Sequence, residues 1–404
     1  MSFDTGADAI RVERPAVGGG VGRASDGRVV FIRHALVDEL VRVRVTAETT
    51  KFLRADAIEV LEASDERVSA PCQYAHPGGC GGCDLQHASL SAQLAWKGAL
   101  VAEQLRRVAG LDLEVEVEPA PSIAQGSRTR IRCVVDEDGY LGLRGYRSHD
   151  VVTLEACWIA SAKLAEAFQH RWRGFSDVEL RAIGDGPAFA VAWREGMRGQ
   201  FFEIRTLANQ PMDPSTLSRP NVAGTVLNVS PASFWQSHVD APDVLTSAVV
   251  DALGANAGDH VVDLFSGVGL FSVPLARVVG SRGKVTAVES SPSAVRDART
   301  NLEGLAPHKV RQWQVSPRSV SDAVQQGDLV VLDPPRTGLA RGVASTLAGR
   351  SPRRVVYVSC DPATFARDLK GFAQGGYQLR DLRAIDLFPM TEHVELVGVL
   401  DSGS

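Results

Sequence analysis

The sequence of 404 residues lacks any long hydrophobic run. Its apolar runs stay below the ~18 residues that a membrane helix requires, so no membrane span is predicted. The amino terminus reads M-S-F-D-T-G-A-D-A, which is acidic and lacks the basic segment followed by an apolar one of a signal peptide. These absences predict a soluble, cytoplasmic protein.

An excess of positive charge is also missing. Lys and Arg number 43 against 48 Asp and Glu, which gives a formal net charge of −5. This balance argues against a general nucleic-acid coat protein but leaves room for an enzyme that binds RNA through a local basic face. The composition, 44% hydrophobic and 23% charged, is that of a globular protein with length for two or three domains.

Cysteine is scarce and unevenly placed. Five of the six cysteines, Cys72, Cys80, Cys83, Cys133 and Cys157, lie in one stretch, and Cys360 lies alone far downstream. A reducing compartment disfavours a disulfide framework. The clustered cysteines therefore indicate a metal site, and the lone cysteine indicates packing or chemistry.

The residue patterns divide the chain into parts that differ in predicted secondary structure. Residues 9–62 alternate between apolar and polar side chains, which predicts a small β-barrel. Residues 85–110 carry an apolar helical stripe that ends at a glycine, and residues 113–205 return to strand-like alternation with a helical interruption at 160–172. From residue 240 strands alternate with helices, which predicts a doubly wound parallel sheet.

Three arginines in the central part alternate along one predicted strand. Arg128, Arg130 and Arg132 would then share one face. Exposed charge is the ordinary interpretation of any one of them, but three together predict a contact with RNA phosphates.

A glycine-rich turn follows the first strand of the α/β part. It reads D-L-F-S-G-V-G from Asp263 to Gly269, and Gly267 and Gly269 would allow a ligand close to the backbone. Glu289 ends the next strand, where an acidic side chain can accept hydrogen bonds from ribose hydroxyls. Since the third glycine of a dinucleotide site is missing, the turn favours a nucleoside without a pyrophosphate.

Further functional side chains follow later strands. Asp333 begins D-P-P-R, and Cys360 lies in S-C-D-P. The last strand begins at H-V-E, which ends at Glu395, and the short connection before it predicts that it runs antiparallel to its predecessor. Its start would then lie at the edge where the parallel strands end. Asp333, Cys360 and Glu395 are therefore expected to meet Glu289 in one crevice.

These motifs, with F-W-Q at 234–236, resemble those of the uridine-C5 RNA methyltransferase family, which uses S-adenosylmethionine. The amino-terminal barrel resembles a TRAM domain, an OB-like RNA-binding module. The resemblance implies a TRAM barrel at 1–64 and a central, mainly β iron–sulfur domain at 65–224, whose helix 85–110 packs on the catalytic domain. A Rossmann-like class I methyltransferase domain would occupy 225–404.

The resemblance also implies roles for single residues. Cys360 would be the nucleophile that adds to uracil C6, and Glu395 would be the base that removes the C5 proton. The implied cofactor-binding residues are Gln236, Phe265, Gly267, Gly269, Glu289 and Asp333. A 4Fe–4S cluster would be held by Cys72, Cys80, Cys83 and Cys157, with Cys133 inert. Zinc, with His76 or His87 among its ligands, remains the alternative for this site.

The implied partner is 23S ribosomal RNA, because the branch with both a TRAM domain and a cluster includes methyltransferases of large-subunit RNA. We expect a monomer with no obligate protein partner and no membrane. A transfer-RNA methyltransferase and a non-catalytic TRAM-type RNA-binding protein are the alternatives. The second of these leaves Cys360 and Glu395 unexplained.

Overall fold

A computed structural model describes residues 9–403, apart from 195, 198, 205–209 and 214–215. Residues 1–8 of the predicted first domain, and the end of the alternation predicted up to residue 205, lie outside the described residues. No helix of the described part is long and apolar enough to cross a membrane.

The first part of the chain forms a six-stranded β-sheet. Its strands are β1 (Ala9–Arg11), β2 (Arg14–Ala16), β3 (Gly19–Arg23), β4 (Val29–Arg33), β5 (Leu40–Glu48) and β6 (Phe52–Glu62). They pair in the order β1-β5-β6-β4-β3-β2, and only two residues join the outermost strands β1 and β2. The two edges of the sheet therefore lie close together, and the sheet curves around a core that contains Val12, Val30 and Ile32.

A helix follows the barrel. Helix α1 (Leu90–Gln104) continues as a π-helical segment, Leu105–Ala109, and ends at Gly110 in the left-handed conformation. Ser89 caps its start by accepting a hydrogen bond from the backbone amide of Ala92, so residues 85–89 of the predicted helix are not helical. The next strand is β7 (Val117–Pro119).

An antiparallel sheet forms the central part. Its strands are β8 (Arg130–Val135), β9 (Leu141–Arg144), β10 (Val151–Thr153), β11 (Asp177–Arg181), β12 (Phe189–Trp193), β13 (Gln200–Glu203) and β14 (Gln210–Pro211), in the order β10-β9-β8-β11-β12-β13-β14. The hairpin β8–β9 turns at Gly139, as predicted. The helical interruption is a 3₁₀ helix, Ala162–Gln169, and a hairpin of β15 (Asn221–Val222) and β16 (Thr225–Val226) follows the sheet.

The last part is an eight-stranded sheet with helices on both faces. The helices are α2 (Ala241–Leu253), α3 (Ser272–Val279), α4 (Pro292–Leu302), α5 (Pro317–Ala323), α6 (Val343–Gly349) and α7 (Pro362–Gln374). Seven of its strands are β17 (His260–Leu264), β18 (Lys284–Glu289), β19 (His308–Gln312), β20 (Leu329–Leu332), β21 (Arg354–Ser359), β22 (Tyr377–Asp386) and β23 (Glu395–Ser402), and the eighth is β7. Val261 packs into one apolar core and its neighbour Val262 into the other.

The sheet has the order β19-β18-β17-β20-β21-β23-β22-β7. Every neighbouring pair is parallel except those that contain β23, which is antiparallel to β21 and β22. The predicted doubly wound sheet and the direction of the last strand are therefore confirmed.

Two edge strands of this sheet differ from the predictions. Strand β19 was not predicted, because its side chains are all partly or fully exposed and contain no apolar run. At the other edge β7 pairs with β22, although residues 117–119 were assigned to the central domain. In addition, Val101 of α1 and Leu105 pack into the same core as Phe365 of α7. One edge strand of this sheet, β7, and one helix that packs on it, α1, therefore come from an earlier part of the chain.

Candidate active site

The glycine-rich turn redirects the chain directly after β17. Phe265, Gly267 and Gly269 all have positive φ angles, of 64°, 54° and 94°. The amides of Phe265 and Ser266 both donate to the carbonyl of Val288, at 2.9 and 3.1 Å, which ties the turn to the end of β18. Among the described atoms, none lies within 4 Å of the position a Cβ would take at Gly267. Glycine is therefore favoured there by its backbone conformation, and the backbone remains open to a ligand.

The Glu289 carboxylate lies beside this turn at the end of β18. Its Oε2 accepts a hydrogen bond from the Gly267 amide at 3.0 Å, and its Oε1 accepts from the amides of Ser290 and Ser291 at 2.7 Å. These bonds fix the orientation of the carboxylate. Because a carboxylate oxygen has more than one acceptor position, Glu289 can still bind ribose hydroxyls in this orientation.

The F-W-Q segment reaches the crevice through a contact with Asp333. The side-chain amide of Gln236 donates to Oδ2 of Asp333 at 3.4 Å, while the Gln236 carbonyl accepts from Thr129 Oγ1 at 3.1 Å. Thr129 directly precedes β8, so the segment that leads into the central sheet helps to position Gln236. Burial raises the pKa of Asp333 to about 7.

Cys360 and Glu395 are brought together by the pairing of β21 with β23. In this antiparallel register Ser359 lies opposite Leu396, so the next residue on β21 and the preceding residue on β23 are neighbours. Burial, and to a lesser degree the charge of Glu395, raises the pKa of the Cys360 thiol to about 12. Burial and the nearby Asp333 raise the pKa of Glu395 well above its usual range, and Arg336 opposes both shifts.

These groups can carry out nucleophilic and proton-transfer chemistry. A thiol and two carboxyls of raised proton affinity share a crevice that one guanidinium, that of Arg336, partly neutralises. A base with a raised pKa accepts a proton near neutral pH more effectively than an ordinary carboxylate does. The crevice therefore combines a candidate nucleophile, Cys360, with the candidate bases Glu395 and Asp333.

The four cysteines predicted to hold a cluster line one cavity of about 280 Å³, which we call the cysteine pocket. Cys72, Cys80, Cys83 and Cys157 are all free thiols. Burial is the largest cause that raises the pKa of Cys83 to about 12 and that of Cys157 to about 11. Cys133 lies instead in the apolar core of the central sheet.

A single metal ion does not fit the cysteine pocket as it stands. Within the described residues, no group of three or more His, Cys, Asp or Glu side chains is placed to hold one ion. The two histidines considered for zinc lie elsewhere. His87 lines another cavity together with His34, and the His76 ring nitrogen lies 3.1 Å from the Pro77 carbonyl.

The cysteine pocket adjoins the crevice. Arg336 of the D-P-P-R motif and His393 of the H-V-E motif both line it. Burial and the charges of Arg336 and Arg128 lower the pKa of His393 to about 4, so this ring is neutral at physiological pH. Two residues of the crevice motifs are therefore also walls of the pocket.

The three arginines do not share one strand face as predicted. Arg128 precedes β8 and forms isolated backbone bridges with Ala160 and His238. Arg130 forms an ion pair with Glu179 at 2.9 Å. The Arg132 side chain is 62% exposed, and its pairing with Asp177 is longer, at 3.4 Å. Alternation correctly put Arg130 and Arg132 on one strand, but the acidic partners come from β11 and had no local signal.

Sequence reasoning assigned no role to two buried ionisable residues near the site. Asp263 accepts a hydrogen bond from Ser272 Oγ at 2.5 Å, and burial raises its pKa to about 7. Lys97 is fully buried in α1 and binds Asp386. A signal for Lys97 was present, because it lies three residues after Leu94 and four before Val101, on the apolar stripe of the helix.

Comparison with known proteins matches both ends of the chain to families. Residues 225–402 match the family described as tRNA (Uracil-5-)-methyltransferase, and residues 10–58 match the TRAM domain. An uncharacterized RNA methyltransferase of Streptomyces avermitilis is 40% identical over 96% of this chain and 96% of its own length. The 23S rRNA (uracil(1939)-C(5))-methyltransferase of Acinetobacter baylyi is 30% identical over 93% of this chain and 89% of its own length.

A solved structure resembles the chain over nearly its whole length. The crystal structure of the tRNA (uracil-54, C5)-methyltransferase of Pyrococcus abyssi, in complex with S-adenosyl-L-homocysteine, covers 97% of this chain and 100% of that protein. Its TM-score is 0.70 and its sequence identity 26%. The expected class I fold, the TRAM domain and the family resemblance are thereby confirmed. The chain belongs to the RNA uracil-C5 methyltransferase family, whose methyl donor is S-adenosylmethionine.

Proposed function

We propose that the chain methylates uridine C5 in 23S ribosomal RNA through a covalent adduct between Cys360 and C6 of the base. The observation that carries this proposal is the register of β21 and β23, which makes Cys360 and Glu395 neighbours at the edge where Asp333 also lies. The reaction needs a thiol and a base in contact with one substrate ring, and this edge offers both.

The chemistry explains why both groups are needed. C5 of uracil is too weak a nucleophile to take a methyl group, but addition of the Cys360 thiolate to C6 makes the ring an enolate. After C5 has been methylated, Glu395 removes the remaining C5 proton. The electrons of that C–H bond form the C5–C6 double bond, and the Cys360 thiolate leaves. Because the crevice is recessed, the uridine enters it flipped out of its stack or from a single strand.

S-adenosylmethionine is proposed to bind across the glycine-rich turn. Glu289, oriented by the Gly267 amide, would accept the ribose hydroxyls, and Phe265 would contact the nucleoside. Gln236 and Asp333, which contact one another, would lie where the donor meets the uridine. Gly269 completes the turn, and its amide donates to the Ser266 carbonyl at 2.9 Å.

We further propose that the cysteine pocket holds a 4Fe–4S cluster. Its thiols fit this group, because Cys72, Cys80, Cys83 and Cys157 are free and line one cavity. The cationic side chains in its wall, Arg128, Arg132 and Arg336, would balance the negative charge of four thiolates. Iron–thiolate bonds there would join the 72–83 segment to residue 157.

The choice of 23S ribosomal RNA follows the relatives of known substrate. Those from Acinetobacter baylyi, Chromohalobacter salexigens and Pseudomonas fluorescens, which are 30%, 31% and 32% identical, carry the name 23S rRNA (uracil(1939)-C(5))-methyltransferase. Transfer RNA is the second candidate, since the solved structure from Pyrococcus abyssi bears that substrate in its name. We propose that it acts in the cytoplasm, where either substrate would be found, and that it acts as a monomer.

Replacement of Glu395 by Gln tests the mechanism. The variant keeps the nucleophile and the donor site, so addition and methyl transfer should occur while release should not. We expect a protein–RNA complex that resists denaturation and contains label from the methyl donor. Electrophoresis under denaturing conditions detects it. Asp401→Asn, at the other end of β23, is the matched control and should turn over normally.

Two results would contradict the mechanism. Full turnover by Glu395→Gln, or a folded inactive variant without adduct, would move the base to His393 or Asp333. The substrate is tested separately by offering unmodified 23S RNA and unmodified transfer RNA to the wild-type protein. Label that appears only in transfer RNA would replace the first substrate by the second.

A further inference from the structure

The loop that precedes the proposed base is held by buried contacts from outside its own domain. This loop, residues 387–394, joins β22 to β23 and ends immediately before Glu395. A loop of this kind would ordinarily lie on the surface and move. Here its backbone groups instead bind side chains and backbone of helix α1 and of the segment that follows Cys83.

Lys97 makes the most deeply buried of these contacts. Its side chain is 0% exposed, and that of its partner Asp386, the last residue of β22, is 2% exposed. The Lys97 ammonium also donates to the Phe388 carbonyl at 3.0 Å, while the Phe388 amide donates to Oδ1 of Asp386 at 3.2 Å. One buried ion pair therefore fixes both backbone groups of Phe388.

The same carbonyl is linked onward to the H-V-E motif. Thr391 Oγ1 donates to the Phe388 carbonyl at 2.7 Å and accepts from the His393 amide at 3.2 Å. The rings of Phe388 and His393 also contact edge to face, with centroids 6.0 Å apart. A short chain of contacts thus runs from Lys97 to the residue two positions before Glu395.

A second set of contacts holds the middle of the loop. Met390 has a φ of 67°, which a non-glycine residue adopts only when its surroundings impose it. Its amide donates to Gln93 Oε1 at 3.0 Å, and its carbonyl accepts from the amides of Asp84 and Leu85 at 2.9 Å. Gln93 lies four residues before Lys97, so both side chains come from one face of α1.

A buried ion pair is poorly explained by stability alone. Removing two charges from water costs as much as their attraction returns, and an apolar pair of similar volume is often at least as stable. The Lys97–Asp386 pair instead fixes the geometry of the backbone groups that it binds, the amide and the carbonyl of Phe388. In this chain those groups lie directly before the proposed base.

We propose that Lys97 is a positioning residue that holds the 387–394 loop, and with it Glu395, in the geometry required for proton removal. This inference rests on the role proposed above for Glu395. Lys97 does not touch the substrate; it acts through Asp386, Phe388 and Thr391. Loss of this contact should slow release of the adduct more than its formation, because Cys360 directly follows β21, which the 387–394 loop does not hold.

The test replaces the ion pair by an apolar pair in the full-length protein. Lys97→Met combined with Asp386→Leu avoids an unpaired buried charge. The control, Arg354→Met with Asp401→Leu, removes an ion pair between β21 and β23 at their opposite ends. Single-turnover reactions with labelled donor then measure adduct formation, adduct release and donor affinity.

We call Lys97→Met with Asp386→Leu the Lys97 pair variant. We expect it to release the adduct at least about tenfold more slowly, since a displacement of a catalytic group by about 1 Å can lower a rate roughly a hundredfold. Donor affinity and adduct formation should stay within about threefold of wild type, and the control should release normally. A merely structural role would lower all of these rates together or none. Release at the wild-type rate in a folded Lys97 pair variant would overturn the proposal.

A second Lys97 pair variant is needed in case the protein with the apolar pair does not fold. Lys97→Gln with Asp386→Asn keeps polar groups in the pair, but the shorter amide no longer reaches the Phe388 carbonyl, so the same accumulation of adduct is expected. Glu395→Gln runs in the same assay. If Glu395→Gln accumulates adduct and neither Lys97 pair variant does, the positioning role alone fails; if Glu395→Gln accumulates none, the proposed base fails.

Discussion

The crevice and the cysteine pocket are neighbouring sites that are built in different ways. The crevice residues lie at strand ends: Glu289 is the last residue of β18, and Glu395 is the first residue of β23. The pocket cysteines lie outside the helices and strands, since residues 63–89, all of them described, contain only isolated β-bridges and Cys157 lies between β10 and the 3₁₀ helix. Backbone hydrogen bonds therefore fix the crevice, whereas the pocket depends on its loops and on what they bind.

The two sites also differ in charge and meet at shared residues. Carboxyl groups dominate the crevice, where burial raises the pKa of Asp333 to about 7. Thiols and arginines dominate the cysteine pocket. Arg336 lines the pocket and also lowers the pKa values of Cys360 and Glu395. One guanidinium therefore acts on both sites.

The largest expected effect is on the crevice side. Cys360→Ala should lower methylation by at least about a thousandfold, as loss of a nucleophile does in other enzymes. It should still bind RNA and S-adenosylmethionine, because the glycine-rich turn is untouched, and should form no adduct. Labelled-donor assays and RNA binding measure this. Residual turnover near the wild-type rate would remove Cys360 from the mechanism.

The second effect belongs to the cysteine pocket. Cys157→Ser should lose most of its iron and its brown colour after anaerobic purification, because a thiolate ligand is missing. Cys133→Ser is the matched control and should keep both, since Cys133 lies in the apolar core of the central sheet. Affinity for S-adenosylmethionine should stay within about twofold in Cys157→Ser, if the sheet fixes the crevice independently. Stoichiometric zinc without iron in the wild-type protein would contradict the cluster.

A smaller effect is expected at the arginines beside the pocket. Arg132→Ala should weaken RNA binding and reduce the salt dependence of the affinity by about one phosphate contact, because its side chain is largely exposed. Arg130→Ala should do less, since Glu179 already neutralises that charge. RNA-binding titrations at several salt concentrations measure how the affinity of each variant depends on salt. An equal loss of RNA affinity in the two variants would mean that the ion pairs with Glu179 and Asp177 do not determine which arginine binds RNA.

The smallest effect is on the reactivity of the Cys360 thiol. Since its pKa is raised to about 12, alkylation by iodoacetamide should rise about tenfold per pH unit between pH 7 and 9, as the thiolate fraction rises. Glu395→Gln removes a negative charge, lowers this pKa and should speed alkylation by a few-fold. Arg336→Gln should raise the pKa and slow it.

Mass spectrometry of the peptide that contains Cys360 separates this thiol from the pocket cysteines in that experiment. Asp401→Asn serves as the control, because it changes a carboxylate at the far end of the same strand. If Glu395→Gln and Arg336→Gln both alkylate at the wild-type rate, the charges of Glu395 and Arg336 do not reach the thiol as the crevice geometry implies.

Much of the catalytic part could be predicted from the sequence because its signals are local. Buried strands read as apolar runs, and D-L-F-S-G-V-G, D-P-P-R and S-C-D-P each follow one of them. The direction of β23 followed from the short connection before it. Once the strand directions are known, Cys360 and Glu395 must lie at one edge, whatever the loops do.

The sequence determined the composition of each site, and the tertiary structure decided which sites share residues. Local pattern could not show that β7 extends the catalytic sheet, that Glu179 from β11 neutralises Arg130, or that Lys97 reaches the 387–394 loop. These contacts join residues 49 to 291 positions apart. The physical reason is that periodicity reports which side chain is buried, whereas its partner is chosen by how separate elements pack.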